Sequence, residues 1–402
     1  MELFNLKRIK IIICLFLTIV LLVGCSTTTK TDKKKETKKL TIDEKVKNKM
    51  SKMTLEQKIA QMLILYSSSD TVDDDFKNTL KTYNPGGFIL MQDNITTFDK
   101  TKKFVDDMQE NSDIPMIISI DEEGGNVQRL LQLKDVNPTN IPYMYYLGQT
   151  NDTSLAYQVG KLTAEELRTI GVNVDYAPVL DIYSNENNKV IGKRSFGTTP
   201  DQVSNMALSY AKGLEENGVI ATYKHFPGHG DTSVDSHYNL PVITKSYDEL
   251  KNFELIPFKK AIESDAKIIM IGHLNFTNIT SDGIPSSLSE KIITDILYKD
   301  MGYKGLVITD ALNMGALTKN YTDEEIYTKT INAGTDLLLM PNGSKKAIEY
   351  IKKNISEERI NKSVEKILKF KYTYLKDYKT LDKSYLNNKE HQDIINKINV
   401  NS

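Results

Sequence analysis

Eight short apolar segments recur along the chain, and longer amphipathic stretches separate them. The apolar segments are residues 62–66, 86–91, 115–120, 172–180, 221–225, 267–272, 305–309 and 336–340. In the stretches between them, apolar residues recur at intervals of three and four, which is typical of helices packed on one face. The clearest such stretches are residues 153–170, 199–217, 247–263, 289–301 and 322–333. This alternation predicts a buried parallel sheet, and eight repeats favour a closed (β/α)8 barrel of the TIM type.

We expect the barrel to form a single domain, residues 40–378. A helix is predicted to begin after Thr54 and to continue through Gln61, because Thr54 and Gln57 have the spacing of a capping box. The last helix of the domain is predicted to extend from Ser356 to about residue 375, with Ser356 as the N-cap and two acidic residues in the first turn. Residues 379–402 are polar, and we expect them to form a tail that frays.

The N-terminus has the pattern of an export signal. Lys7, Arg8 and Lys10 precede an apolar run over residues 11–23. That run has the length of a signal-peptide core and is short for a membrane-spanning helix. Export is therefore the favoured interpretation, and an uncleaved anchor helix is the alternative.

The apolar run ends in Leu-Val-Gly-Cys at residues 22–25, which resembles a bacterial lipobox. We therefore expect residues 1–24 to be a lipoprotein signal peptide and Cys25 to carry lipid. Residues 25–39 are rich in Lys and contain almost no apolar side chain, so they are predicted to be a solvated tether. The predicted location is extracytoplasmic, with the domain anchored to the cell membrane through lipid.

Composition argues against two kinds of chemistry. The chain has two Cys residues; Cys14 lies in the predicted signal peptide and Cys25 is the predicted lipid site, so no thiol remains for a disulfide or a nucleophile. Lys and Arg total 52 against 53 Asp and Glu. Such a balance lacks the basic excess of a nucleic-acid-binding protein, and we expect no nucleic-acid partner.

Polar, ionisable residues follow most of the apolar segments. In a barrel of this type the active site lies at the carboxyl ends of the strands, so these residues are the informative ones. They are Asp121, Asp181, Lys224, His225, His273 and Asp310. Any one of them is as easily structural as functional, whereas six that converge on one rim indicate a functional site.

Three of the five His residues lie within residues 224–237. His225 and His229 are four residues apart, as in a zinc-binding helix, but Pro227 and Gly228 between them make a helix unfavourable. The sequence therefore does not favour a metal site, and we expect neither a metal nor an organic cofactor.

The same segment carries an Asp-x-His pair, Asp235 and His237. A carboxylate bound to one ring nitrogen fixes the imidazole tautomer and leaves the other nitrogen to exchange protons. Imidazole titrates near neutral pH, which suits a group that acts first as an acid and then as a base. The spacing fits a purely structural hydrogen bond equally well, so both interpretations stay open at this point.

Five motifs are distributed over the predicted domain. They are Asp-Glu-Glu-Gly-Gly-Asn-Val-Gln-Arg at 121–129, Ala-Pro-Val-Leu-Asp at 177–181, Lys-Arg-Ser-Phe-Gly at 193–197, the His-rich segment 224–237 that begins Lys-His-Phe-Pro-Gly-His-Gly-Asp, and Thr-Asp-Ala-Leu at 309–312. Together they resemble glycoside hydrolase family 3, and within it the β-N-acetylglucosaminidases. The resemblance extends from about residue 54 to residue 374. Two positions depart from the family pattern: Glu122 stands where Gln is usual, and Asn126 where Arg is frequent.

The resemblance implies a role for each matching residue. Asp310 matches the nucleophile, His237 the general acid/base, and Asp235 the residue that orients the imidazole. Positions that bind sugar hydroxyls are matched by Asp121, Arg194, Lys224 and His225. The motif positions matched by Arg129, Asp181, His229 and His273 either contact substrate or support the barrel rim. No metal or cofactor is implied.

The length of the chain bears on the acid/base. Many family 3 glucosidases supply this group as a carboxylate from a second domain after the barrel, whereas only about two dozen residues follow the last predicted helix. The barrel itself is then expected to supply it, which favours His237. The resulting expectation is retaining hydrolysis of terminal β-linked N-acetylglucosamine from peptidoglycan fragments, with an imidazole in place of one of the usual two carboxylates.

Other functions account for less of the pattern. Without a carboxylate acid/base, phosphate can approach the intermediate, so a β-N-acetylglucosaminide phosphorylase is an alternative, as is a β-glucosidase of the same family. A sugar-binding lipoprotein of a transport system would be expected to have two hinged lobes, whereas this sequence indicates eight βα units. An inactive wall-binding scaffold does not explain why every candidate catalytic side chain is present.

Overall fold

Eight parallel strands form the barrel that the alternating pattern predicts. The computed structural model describes residues 40–232, 236, 238–280 and 283–398 of the 402-residue chain. The strands are β1 (Leu63–Leu65), β2 (Gly87–Ile89), β3 (Ile117–Ile120), β4 (Val174–Asp175), β5 (Ile220–Phe226), β6 (Ile268–Ile271), β7 (Leu306–Thr309) and β8 (Leu338–Leu339). Hydrogen-bonded neighbours follow the order β7-β6-β5-β4-β3-β2-β1-β8, and Ile308 pairs with Leu337 so that β7 also meets the chain entering β8. The (β/α)8 barrel is confirmed, and each predicted segment contributes one strand.

Helices connect the strands and cover the outside of the barrel. The α-helices are α1 (Ile42–Met50), α2 (Leu55–Gln61), α3 (Asp74–Tyr83), α4 (Phe98–Glu110), α5 (Met144–Gln149), α6 (Thr153–Thr169), α7 (Pro200–Glu216), α8 (Tyr247–Lys251), α9 (Leu255–Glu263), α10 (Gly315–Thr318), α11 (Asp323–Ala333), α12 (Ser344–Asn354), α13 (Glu357–Phe370) and α14 (Lys389–Ile395). π-Helices are formed by Lys291–Asp300 and Lys371–Leu375, and short 3₁₀ turns by Gln92–Asn94, Leu130–Gln132, Gly192–Arg194, Ser286–Leu288 and Lys383–Tyr385. Glu122–Gly124 pairs with Val127–Gln128 in an antiparallel hairpin, and Val242–Ile243 pairs with Asn275–Phe276.

The predicted helix caps are present. The Thr54 hydroxyl accepts a hydrogen bond from the Gln57 amide, and the Gln57 side chain accepts one from the Thr54 amide, each at 3.2 Å. At the start of α13, the Ser356 side chain accepts a hydrogen bond from the Arg359 amide at 3.3 Å. Both caps satisfy amide groups that have no partner within the helix.

The segment 247–263 forms two helices, α8 and α9, where the sequence predicts one. Pro257 explains the break, because it has no N–H to donate to Phe253 four residues earlier, and its ring would clash with that carbonyl. Asn252 ends α8, and its side-chain amide donates to the Asp248 carbonyl at 2.9 Å.

Helices α6 and α7 pack with their backbones in direct contact. A Cβ atom added to Gly160 would lie 2.0 Å from the Tyr210 carbonyl oxygen, and one added to Gly213 would lie 2.2 Å from the Tyr157 carbonyl oxygen. Only glycine permits this approach. Helix α6 precedes β4 and α7 connects β4 to β5, so their close packing supports the strand that carries Lys224 and His225.

The predicted signal peptide (1–24) and tether (25–39), including Cys25, lie outside the described residues. In the part of the chain that is described, no helix is both long enough and apolar enough to cross a membrane.

The expectation that the chain frays after residue 379 is wrong for the part up to residue 398. Helix α14 packs on the barrel, with Ile394 and His391 buried. His391 contacts two glutamates of α6: Nε2 lies 2.9 Å from Glu165 Oε2, and Nδ1 lies 3.0 Å from Glu166 Oε1. Burial alone would lower the pKa of His391, but the two carboxylates outweigh it and raise the pKa to about 9. Buried apolar contacts and the charged contacts of His391, which a polar composition does not indicate, thus hold this segment in place.

Replacement of His391 by Ala is expected to lower the free energy of unfolding by about 3 kcal/mol near pH 6, because it removes the buried cation between two clustered carboxylates. The folded-state pKa is raised, so this contribution is complete below about pH 6.5 and is lost as the pH rises through about 9. Denaturant unfolding at several pH values measures the difference between the two proteins. Asp393→Ala, which changes an exposed residue of the same helix, is the control. A difference that does not shrink between about pH 6 and about pH 10 would contradict the charged contact.

Candidate active site

A cavity of about 260 Å³ opens at the carboxyl ends of the barrel strands. Its polar lining consists of Asp121, Glu123, Arg129, Arg194, Lys224, His225, His229, Ser236, Asp310 and Asn313. Its apolar lining consists of Ile89, Met91, Val127, Val190, Met270, Ala311, Met314, Leu339 and Met340. The structure therefore brings together seven of the predicted site residues. Asp181 and His273 do not line the cavity and lie behind its wall.

Asp310 follows β7 directly, and the parallel pairing of β7 with β6 fixes its position. Thr309 is in register with Ile271, and the Asp310 amide donates to the Ile271 carbonyl at 2.9 Å. The Asp310 carboxylate accepts a hydrogen bond from the Ala311 amide at 2.7 Å. Burial would raise the pKa of this carboxyl, but His225, His273, the Ala311 amide and Lys224 together hold it below its usual value. Asp310 is therefore an ionised carboxylate facing the cavity at neutral pH.

A buried ion network centred on Glu123 forms one wall. Both oxygens of Glu123 accept hydrogen bonds from Arg194, at 2.7 Å each, and Glu123 Oε1 also lies 2.5 Å from Lys224 Nζ. Lys224 donates a second bond, of 2.8 Å, to Asp121. Burial opposes the ionisation of Glu123, but Arg194 and Lys224 outweigh it and place its pKa well below the usual range. The network holds two cations and two anions at fixed positions on the cavity wall.

The network joins three different parts of the barrel. Glu123 belongs to the hairpin after β3, Arg194 to the 3₁₀ turn after β4, and Lys224 to β5 itself. Glu123 and Lys224 are each only 2% exposed, so their charges are little screened by water. Sequence reasoning missed Glu123, although it lies two residues after Asp121 in the same motif.

Asp181 orients His225 from behind the cavity. The His225 ring nitrogen Nδ1 lies 2.6 Å from Asp181 Oδ2, and the Asp181 carboxylate also accepts a 2.6 Å bond from the His229 amide. Burial opposes the ionisation of Asp181, but the neighbouring His225 and His229 hold its pKa below the usual value. Since an ionised carboxylate can only accept, Nδ1 of His225 is the donor, and Nε2 is left for a ligand in the cavity.

His229 and His273 are held by their own hydrogen bonds. Burial lowers the pKa of His229 to about 4, so its ring is neutral at pH 7, and its two nitrogens contact the hydroxyls of Thr232 and Ser236 at 2.8 and 3.0 Å. His273 Nδ1 lies 2.7 Å from the Ser287 hydroxyl, and Nε2 donates to the Ala311 carbonyl at 3.0 Å. His273 thus supports the turn that carries Asp310.

Arg129 reaches the cavity beside Asp121, with 3.8 Å between Arg129 Nη2 and Asp121 Oδ2. Its Nε is buried and has no hydrogen-bond partner among the described residues. The turn that carries Arg129 is held by Glu122, whose Oε2 accepts hydrogen bonds from the amides of Arg129 and Leu130 at 2.7 and 3.0 Å. Burial raises the pKa of Glu122 to about 8, so the side chain is mostly neutral at pH 7. A neutral Glu122 provides the same acceptor oxygen as the Gln that is usual at this position.

The proposed acid/base pair, Asp235 and His237, lies outside the described residues. Ser236 between them is described: its hydroxyl contacts His229, its carbonyl accepts from the Ala316 amide at 3.3 Å, and it lines the cavity. Within the described part of the chain, no group of three or more His, Cys, Asp or Glu side chains is arranged to hold a metal ion.

Two strand ends contribute only apolar side chains to the cavity. The charged residues come from β3, β4, β5 and β7 and the turns that follow them. Ile89 and Met91 at the end of β2 and Leu339 and Met340 at the end of β8 form an apolar patch, whereas the remaining apolar lining residues lie among the charged ones. A ligand in this cavity can therefore place an apolar group near β2 and β8 while its polar groups meet the charged residues. This apolar patch was not predicted, because Met residues at strand ends resemble core residues in the sequence.

Known proteins share this sequence and architecture. β-Hexosaminidase A of Pseudoalteromonas piscicida is 33% identical over 291 residues, which cover 67% of this chain and 48% of that protein. β-Hexosaminidase LpqI of Mycobacterium tuberculosis is 33% identical over 289 residues, which cover 70% of this chain and 72% of that protein. The structure of a glycoside hydrolase family 3 β-N-acetylglucosaminidase from Paenibacillus sp. matches with a TM-score of 0.78 and 33% identity, over 86% of this chain and 68% of that one.

The extent of the match differs between relatives, since this chain spans about half the length of the Pseudoalteromonas protein. The glycosyl hydrolase family 3 N-terminal domain matches residues 54–370, a range that includes all eight barrel strands and the whole described lining of the cavity. On that match the chain belongs to glycoside hydrolase family 3.

Proposed function

We propose that the protein is a retaining exo-β-N-acetylglucosaminidase that releases terminal N-acetylglucosamine from peptidoglycan fragments. The observation that carries the proposal is the ionised Asp310 carboxylate, which faces a small cavity beside a fixed array of hydroxyl-binding charges. The substrate class draws support from the names of the relatives, which are β-hexosaminidases and a β-N-acetylglucosaminidase.

In the first step, Asp310 attacks the anomeric carbon of the terminal sugar while the bond to the leaving oxygen breaks. A proton from His237 passes to that oxygen, and the product is a covalent ester between Asp310 and the sugar. Asp310 suits this role because its neighbours keep the carboxylate ionised in spite of burial.

In the second step, a water molecule attacks the same carbon. His237 accepts the water proton, the ester bond breaks, and Asp310 returns to its carboxylate form. Asp235 orients the His237 ring in this proposal. Ser236, which lies between these two residues and lines the cavity, supports a position of the pair next to the reacting atoms.

The charged wall binds the sugar hydroxyls. Asp121 accepts hydrogen bonds, Arg194 and Lys224 donate them, and His225 offers Nε2. Hydrogen bonds already fix Arg194 to Glu123 and Lys224 to Asp121, so these side chains lose little conformational freedom when a sugar binds.

The apolar side chains at the ends of β2 and β8 explain a preference for an acetamido sugar. An acetamido group has an N–H in place of the hydroxyl oxygen and adds a carbonyl and a methyl, and the methyl is stabilised by contact with apolar side chains. Met91 and Met340 belong to the apolar patch at the ends of β2 and β8, which contribute no charged side chain to the cavity. We infer that this patch receives the methyl group and favours the acetamido sugar over glucose.

Replacement of Asp310 by Ala is expected to reduce kcat at least about a thousandfold on a chromogenic β-N-acetylglucosaminide, because it removes the nucleophile. The wild-type protein is expected to prefer this substrate to the matching β-glucoside. Steady-state kinetics on both substrates measures the two effects, and Asp248→Ala, in which an 86% exposed aspartate is removed, is the control. Hydrolysis of the glucoside alone would overturn the acetamido assignment, and full activity in the Asp310 variant would overturn the nucleophile. If added phosphate diverts the product to a sugar 1-phosphate, the reaction is phosphorolysis.

Replacement of Arg194 by Lys keeps the positive charge but cannot form the two-pronged contact with Glu123. The expected result is a fall of about ten- to a hundredfold in kcat/KM with the barrel still folded, because the sugar-binding wall loses its fixed geometry. Arg168→Lys is a matched control, since Arg168 lies at the end of α6 and donates to backbone carbonyls of Asn217 and Lys379 instead. An equal loss in both variants, or a loss explained by a lower Tm, would show that the Arg194 effect is not specific to the site.

For the location, we propose that Cys25 is lipidated and that the tether 25–39 holds the barrel outside the cytoplasm. Support comes from the apolar run 11–23 and the lipobox-like residues 22–25. Cells that express the wild-type chain are expected to incorporate a labelled fatty acid into the protein and retain it in the membrane fraction. Cys25→Ala is expected to abolish the label. Labelling that persists in this variant would exclude Cys25 as the lipid site.

A further inference from the structure

Four tyrosines and one lysine form a cluster on the barrel rim outside the cavity, and we call them the tyrosine shelf. They are Tyr143, Tyr145, Tyr146, Tyr183 and Lys193. The four rings are partly exposed and Lys193 is exposed. Tyr143, Tyr145 and Tyr146 follow β3 in the chain, and Tyr183 and Lys193 follow β4, so the shelf lies on the same face of the barrel as the cavity.

The rings contact one another edge to face. The centroids of Tyr145 and Tyr146 are 6.2 Å apart with an interplanar angle of 75°, and those of Tyr145 and Tyr183 are 6.3 Å apart at 87°. The Tyr183 hydroxyl donates to the Glu186 carbonyl at 3.2 Å, which fixes the outer ring. A partly exposed aromatic group fixed in this way offers both a flat apolar surface and polar hydroxyl edges.

Lys193 is positioned by this cluster. Its Nζ lies 4.4 Å from the centroid of the Tyr146 ring and donates a hydrogen bond to the Tyr146 hydroxyl. The Tyr146 hydroxyl raises the pKa of the ammonium, and the hydroxyls of Tyr145 and Tyr143 act in the same direction. The shelf therefore carries a positive charge held by Tyr146, and within the described part of the chain Lys193 forms no salt bridge with an Asp or Glu side chain.

Two connections link the shelf to the segments that form the cavity wall. Lys193 and Arg194 are consecutive in one 3₁₀ turn, and Arg194 lines the cavity. The Tyr143 ring packs on Gly125, where a Cβ atom would lie 2.2 Å from Tyr143 Cδ1. Gly125 lies between the two strands of the hairpin that supplies Glu123 and Val127 to the cavity wall.

We propose that the tyrosine shelf is a binding subsite for the leaving-group sugar, and that Lys193 selects a ring that bears a carboxylate. The inference rests on the proposed function, because it needs a terminal sugar bound in the cavity. Sugar rings have an apolar face of C–H groups that packs on aromatic rings, and their hydroxyls pair with tyrosine hydroxyls. An exposed ammonium beside such a surface complements a carboxylate by charge.

The test compares three substrates of the full chain purified in detergent: an aryl β-N-acetylglucosaminide, N,N′-diacetylchitobiose and N-acetylglucosaminyl-N-acetylmuramic acid. The aryl glycoside reports on the cavity, the second substrate has a neutral leaving ring, and the third has an acidic one. Lys193→Gln is expected to lower the ratio of kcat/KM for the acidic substrate to that for the aryl glycoside about tenfold. The corresponding ratio for the neutral disaccharide is expected to change less than twofold. High salt should reduce the preference of the wild-type protein for the acidic ring.

Two further variants separate the shelf from simple loss of folding. Tyr145→Leu is expected to lower the ratios for both disaccharides, and Tyr146→Phe, which keeps the ring, is expected to retain most of the neutral ratio. Lys189→Gln makes the same change of charge at an exposed residue of the same loop and is expected to leave all ratios unchanged. An unaltered acidic ratio in Lys193→Gln, in an enzyme that cleaves the aryl glycoside, overturns the subsite and leaves the proposed function standing. A wild-type protein that cleaves none of the three substrates overturns both.

Discussion

The pairing of Glu123 with Arg194 and Lys224 is the interaction on which the site depends. Three separate barrel segments meet at one buried carboxylate, and each contributes a residue to the cavity wall. Removal of one partner from such a network leaves an uncompensated buried charge, which costs about 3–5 kcal/mol. The carboxylate thus fixes the relative positions of the hairpin after β3, the turn after β4 and the end of β5. Geometry at this wall is set by the folded protein before any ligand arrives.

The same electrostatic arrangement determines the state of Asp310. Burial by itself would favour a neutral carboxyl, and a neutral Asp310 could not act as a nucleophile. The nearby His225, His273 and Lys224 reverse that preference, so the residue is ionised where the reaction needs it. Asp181, which holds His225 from outside the cavity, therefore contributes to the charge at Asp310 without contacting a ligand. Motif residues that do not line the cavity are therefore still part of the site, because they orient or charge the residues that do.

The sequence predicted the barrel well because its strands and helices have distinct periods, and each of the eight apolar segments became a strand. It failed where one residue decides a local outcome: Pro257 divides a predicted helix, and His391 anchors a segment that polar composition marked as a tail. The role of Glu123 could not be identified from the sequence, although the residue lies in the same motif as Asp121, because its partners are 71 and more residues away and meet it only in the folded barrel. Asp235 and His237 stay predictions, supported by the family resemblance and by the position of Ser236.

Asp310, as the residue that forms a covalent bond to the sugar, is central to the proposed mechanism. The most direct measurement is to incubate the protein with a mechanism-based fluorinated N-acetylglucosaminyl fluoride, which forms the intermediate but releases it slowly. Mass spectrometry of the digested protein then locates the added sugar. We expect one sugar on the peptide that contains Asp310 in the wild-type protein, and no sugar on that peptide in Asp310→Ala. A sugar attached to another residue, or an enzyme that turns over the substrate without forming any adduct, would contradict this mechanism.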